Sequence, residues 1–139
     1  MVLTPINQIA SEATKGEPTP EVGMGATELC WSDRHALTIV QVRKRADSLK
    51  GEVSAVWVVR DVAKVKPGKT IHNTDQQGDA WEITPTPIPT DLNEKLALIA
   101  RATCYTKRKN GAWVRHGESM KNGGRIAIGY RSEYRDPSF

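Results

Sequence analysis

Apolar residues recur along this chain at two different periods, and the switches between them mark its elements. In TPINQIASEAT, residues 4–14, Ile6, Ile9, Ala10 and Ala13 fall on one stripe of a 3.6-residue repeat. Thr4 stands where an N-cap belongs and Pro5 at the first helical position, so the pattern predicts a short amphipathic helix. Glycine and proline in KGEPTPEVGMG end it and read as a connector. From Ala26 the period becomes two, and ATELCW and ALTIVQVR predict strands joined by an SDRH turn. EVSAVWVVR carries Val53, Ala55, Trp57 and Val59 on one face and Val56 and Val58 on the other. A strand apolar on both faces belongs in a central position.

Residues 61–78 are a long polar stretch, and such loops in compact domains are often functional. WEIT predicts a short strand, and the prolines of PTPIP stop it. TDLNEKLALIAR places Leu92, Leu96 and Ile99 at i, i+4 and i+7 behind a Thr90 or Asp91 cap, which predicts a second short helix with that face apolar. In CYTKRKNGAWVRH, Asn110 and Gly111 predict a type I′ hairpin turn in which both take positive φ. That register sets Arg108 opposite Trp113, a guanidinium-on-indole contact of about 0.5 to 1 kcal/mol. RIAIGYRSEYRDPSF alternates again, with Ile126, Ile128 and Tyr130 on one face and Arg125, Ala127, Gly129 and Arg131 on the other. Arg125 and Arg131 would then stand about 20 Å apart, with only small residues between them and room for a ligand. The expected fold is α+β and mainly β. A single domain spans 1–139, with an N-terminal helix and connector over 1–19 and a small antiparallel sheet or barrel-like core, carrying one further short helix, over 20–139.

Composition agrees: 38% hydrophobic and 26% charged, with 8 Pro and 11 Gly, describes a loop-rich globular chain long enough to bury a core unaided. No segment is apolar enough to span a bilayer, and the first residues lack the layout of a signal peptide, so the expectation is a protein inside a cell with no membrane partner. Cys30 and Cys104 read as free buried thiols. His35, His72 and His116 are scattered, and neither they nor the cysteines fall at a metal-ligand spacing, so no metal and no cofactor are expected. Beyond residue 100 there are nine Lys/Arg against three Asp/Glu. That basic third is interleaved with Tyr105, Trp113, Tyr130 and Tyr134, which suits phosphate together with a flat base. Walker, dinucleotide-binding, HExxH and GxSxG motifs are missing, and Asp33 with His35, two apart in a turn, makes a poor acid–base pair, so an enzyme is not expected. Arginine instead supplies a permanently charged planar fork for bidentate phosphate binding.

VGMGATELCWSDRHALTIVQV, the later RKNGAWV and the ending RIAIGYRSEYRDPSF resemble the phage and prophage proteins of the Thoeris anti-defence type 1 family, over most of the chain from Pro20 onward. Members of that family are sponges. They form homodimers, in some cases hexamers, that enclose without cleaving a cyclic ADP-ribose isomer (glyco-cyclic ADP-ribose) made by bacterial TIR-domain immune proteins. Some also hold cyclic trinucleotides at a separate site, and the effector stays inactive. The resemblance implies action in the cytoplasm of the infected bacterial host. By motif, Arg34 and Arg125 match phosphate-contacting arginines, with Arg131 as a further candidate. Tyr105 and Asn110 match the stacking ring and the hydrogen-bonding amide, beside Arg108 and Trp113 of the hairpin. The family's D-x-x-x-R is here Asp61 with Lys64, so Lys64, Arg60 or Lys66 would supply the third basic contact.

Two other readings stand beside it. A small SH3-like β-barrel that binds DNA or RNA explains the basic C-terminal third, whereas a sponge has no nucleic-acid polymer as partner. A phage structural or assembly protein would explain the small size.

Overall fold

The period-two segments become strands in the computed structural model, which describes residues 17–47, 51–71 and 80–135. They are β1 (Gly25–Leu29), β2 (Arg34–Lys44), β3 (Val53–Arg60), β4 (Val62–Val65), β5 (Trp81–Thr84), β6 (Thr103–Lys107), β7 (Trp113–Arg115) and β8 (Arg125–Ile128). Helix α1 (Leu92–Ala100) lies between β5 and β6. Antiparallel pairing in the order β1-β2-β3-β6-β7-β8 closes through β8 and β1 into a six-stranded barrel, and β4 with β5 forms a separate two-stranded sheet. Closure satisfies both edges of every barrel strand along its paired length. The mainly β expectation is therefore realised as a closed barrel. The helix expected over residues 4–14 lies outside the described residues.

Alternation puts Ala26, Leu37, Ile39, Val56, Val58, Tyr105, Trp113, Ile126 and Ile128 in the barrel interior. Each large side chain there contributes roughly 1.5 to 3 kcal/mol of burial. The register shift between Ile39 and Gln41 inserts Val40 as an extra residue and turns it outward, where it packs with Val59 and Leu98. This second cluster explains why β3 reads as apolar on both faces. A barrel has no central strand, but α1 covers the outer side of this one. Asp91 caps α1 by accepting from the Glu94 amide at 3.0 Å. The buried face differs from the expected stripe: Leu98 is buried, whereas Leu92 and Leu96 are exposed.

Three further expectations change. Residues 62–65 are not loop; Val62–Val65 pairs with Trp81–Thr84. The β6–β7 turn is not type I′, because Gly111 has φ 87° and no non-glycine among the described residues has positive φ. Gly111 N–H donates to Arg108 O at 2.9 Å and Arg108 N–H to Ala112 O at 2.9 Å, the pattern of a turn followed by a left-handed glycine in a three-residue loop. Pairing therefore slips by one, so that Lys107 faces Trp113 with Nζ 6.0 Å from the ring centroid, and Arg108 does not. Lastly, β8 ends at Ile128, since Gly129 takes φ 103° and redirects the chain. Tyr130 is exposed, and Arg131 does not continue the Arg125 face.

Candidate ligand-binding site

One end of the barrel is built where β1, β3 and β7 stop and β2, β6 and β8 start. There Leu29 pairs with Arg34 on one side and with Arg125 on the other. Directly paired residues project on the same face, and each strand step is about 4.8 Å, so the two arginine backbones stand about 10 Å apart with Leu29 between them. Arg34 and Arg125 are both exposed. The Arg34 guanidinium makes no hydrogen bond or ion pair to a described residue, and Arg125 Nη2 donates to Met120 O at 2.7 Å. Leu29 is partly exposed, and Trp31, at the tip of the β1–β2 hairpin, is fully exposed. A solvent-facing indole two residues beyond the leucine that pairs with both arginines is the feature that the sequence pattern missed. ATELCW read as a strand to its last residue, but pairing stops at Leu29 and the hairpin closes with Cys30 N–H on Asp33 O at 3.0 Å.

The C-terminal segment takes over the edge of β2 that β3 vacates. Arg34 and Tyr134 exchange backbone hydrogen bonds at 2.8 and 2.9 Å. Glu133, nearly fully buried, accepts from the Ala36 amide through Oε1 at 3.0 Å. Its Oε2 is 3.0 Å from His35 Nδ1, and Arg60 Nη2 is 2.6 Å from the same nitrogen. Arg60 thus reaches the same end of the barrel as Arg34 and Arg125. Glu28 is paired directly opposite His35, and the Cys30 thiol donates to Glu28 Oε1 at 3.0 Å. One ligand atom from each of Glu28, Cys30 and His35 lies within 4.8 Å of the other two, so these residues could hold a metal ion. Sequence spacing concealed this group because strand pairing assembles it. Partial desolvation of the thiol, then the hydrogen bond and charge of Glu28, push Cys30 up to about 11. Cys30 and Cys104 are free; Cys30 is exposed rather than buried, and Cys104 is intermediate.

The other expected residues are placed differently. Tyr105 is 1% exposed and Trp113 3%, so both rings fill the barrel and neither offers a face for stacking. Burial raises the Tyr105 hydroxyl above its ordinary value. The Arg115 guanidinium lies 5.9 Å from the Tyr105 ring and is itself raised by the hydrogen bond with that hydroxyl. Arg108 donates through Nη2 to the carbonyls of Arg115 and Glu118 at 3.1 and 2.8 Å, fastening the chain after β7. Arg131 pairs with the buried Asp61 at 2.8 Å and donates to Thr38 Oγ1 at 2.9 Å. Gly25 leaves the space for it, since a Cβ there would lie 2.8 Å from Arg131 Cγ. Lys64 faces Glu82 on the β4–β5 sheet, and Lys66 follows that strand. Asn110 is exposed at the opposite end of the barrel, where its Oδ1 accepts from the Ala112 amide at 3.0 Å. Near that end Glu17, Pro18, Lys107 and Trp113 line a cleft of about 100 Å³, below the roughly 300 Å³ of ordinary ligand pockets.

No family model, curated protein or solved structure matches the chain. No helix among the described residues is long and apolar enough to cross a membrane.

Proposed function

We propose that this protein captures and holds, without cleaving, a cyclic ADP-ribose isomer of the kind made by TIR-domain immune proteins, and so keeps the effector inactive. The observation that carries the reading is the pair Arg34 and Arg125 on either side of Leu29, with Trp31 fully exposed two residues beyond that leucine. Two long guanidinium side chains starting about 10 Å apart can converge on one diphosphate. The indole takes the stacking role that Tyr105, buried in the barrel, does not offer.

Nanomolar capture requires about −12 kcal/mol. Charge-assisted hydrogen bonds are worth roughly 1.5 to 3 kcal/mol each and a stacked base roughly 1 to 3. Arg34, Arg125 and Trp31 of a single chain fall short once association is subtracted. A second copy supplies the rest. Asn110 lies at the far end of the barrel from Arg125, so a ligand held by both must sit between two chains, which favours a homodimer or a larger assembly that encloses the nucleotide. Cyclic trinucleotides carry single phosphodiesters in place of the diphosphate and would take a separate site on such an assembly.

A second reading has its own observation: a solvent-facing indole beside arginines on a small barrel also suits one base of single-stranded nucleic acid. Titration of the Trp31→Ala variant tests both. Because Trp31 is fully exposed, stability should change by no more than about 0.5 kcal/mol. Affinity for the cyclic isomer should fall about 5- to 150-fold, the loss of one stacked base. Unchanged affinity would place the base elsewhere. Binding of a single-stranded oligonucleotide that collapses with salt, without binding of the isomer, would favour the second reading.

A further inference from the structure

We propose that Glu28, Cys30 and His35 form a three-ligand site for zinc, with Glu133 orienting the imidazole. Thiolate, imidazole and carboxylate together select a borderline-soft cation over calcium or magnesium. Glu28 and His35 face each other across β1 and β2, and Cys30 follows two residues after Glu28, where the hairpin begins to turn. Their ligand atoms fall within 4.8 Å of one another, with Cys30 Sγ 3.0 Å from Glu28 Oε1. A tetrahedral zinc ion asks for ligand separations of about 3.4 to 3.7 Å, given its bond lengths. Side-chain rotation of about an ångström reaches that range from either side.

The second observation is the contested nitrogen of His35. Nδ1 cannot donate to Glu133 and accept from Arg60 at once, yet it is 3.0 Å from the carboxylate and 2.6 Å from the guanidinium. Nε2 hydrogen-bonds to no described residue. Zinc on Nε2 fixes the ring proton on Nδ1, which then donates to Glu133 in the carboxylate–histidine–metal arrangement common around bound zinc. Arg60 then loses its acceptor. Three protein ligands leave the fourth position to water.

Binding must displace the thiol proton that Cys30 now donates to Glu28.

The test is titration of the full chain with Co²⁺ as a spectroscopic probe and with Zn²⁺ in competition with a chromophoric chelator. The expected result is one equivalent bound per chain, a near-ultraviolet thiolate-to-cobalt band, loss of that band in Cys30→Ser, and at least tenfold weaker zinc binding in Glu28→Gln. Cys104→Ser should keep the band. Both ligand variants lie at the surface end of the hairpin, so they test the site without relying on a buried substitution. No band in the wild type, a band retained in Cys30→Ser, zinc affinity unchanged in Glu28→Gln, or a band lost in Cys104→Ser would each overturn the site.

Discussion

Replacing Arg34 or Arg125 by alanine should weaken capture of a cyclic ADP-ribose isomer about 10- to 150-fold for each substitution, the equivalent of one charge-assisted hydrogen bond of roughly 1.5 to 3 kcal/mol. The double variant should show no measurable capture. Neither residue supports the barrel through its side chain to any large extent: both are exposed, Arg34 has no side-chain partner among the described residues, and Arg125 has one carbonyl. Thermal midpoints should therefore stay close to that of the parent. Calorimetric titration and thermal unfolding of the same samples separate affinity from stability. Full affinity in both single variants would move the phosphate site away from Leu29.

Arg131 should behave in the opposite way. Asp61 is completely buried at its carboxylate. Its Oδ1 accepts from Thr38 Oγ1 at 2.6 Å and from the Thr86 amide and hydroxyl at 2.8 and 2.7 Å, while Oδ2 faces Arg131 Nε at 2.8 Å. Arg131→Ala removes the only positive partner of that carboxylate among the described residues and leaves its charge buried. Breaking such a pair costs about 3 to 5 kcal/mol. Against a total stability of roughly 5 to 15 kcal/mol, that is a large fraction. Urea unfolding should show the midpoint falling steeply, with the remaining folded protein still binding nucleotide. An unchanged midpoint together with lost capture would return Arg131 to the binding site.

The same contrast shows what could be read from the sequence. Period-two alternation located β1, β2 and β3, though not the end of β1, and of the two cap candidates Thr90 and Asp91 it is Asp91 that starts α1. The SDRH turn was read two residues too long: Arg34 and His35 belong to β2, which starts at Arg34. Closure of the barrel did not follow, because pairing of β8 with β1 joins segments about a hundred residues apart through a register that no local pattern encodes. Tyr105 and Trp113 read as ligand-facing because a basic, aromatic stretch looks like a binding surface. A lone ring between Cys104 and Thr106 in TCYTK was the contrary signal, since the large apolar residue of such a strand turns inward. Arg131 was misread because alternation was extended through Gly129, where positive φ ends it. The Asn-Gly pair correctly marked a turn but not its length, and one residue of slip exchanged Arg108 for Lys107 opposite Trp113. Glu28, Cys30 and His35 meet only across paired strands.

The central claim is capture without chemistry, and it has a direct measurement. Purified protein is mixed with a cyclic ADP-ribose isomer, the free nucleotide is quantified by chromatography after filtration, and the retained fraction is heated and quantified again. The isomer should be depleted in proportion to protein and should return intact after heating. Recovery as a hydrolysed product, or no depletion at all, would contradict it.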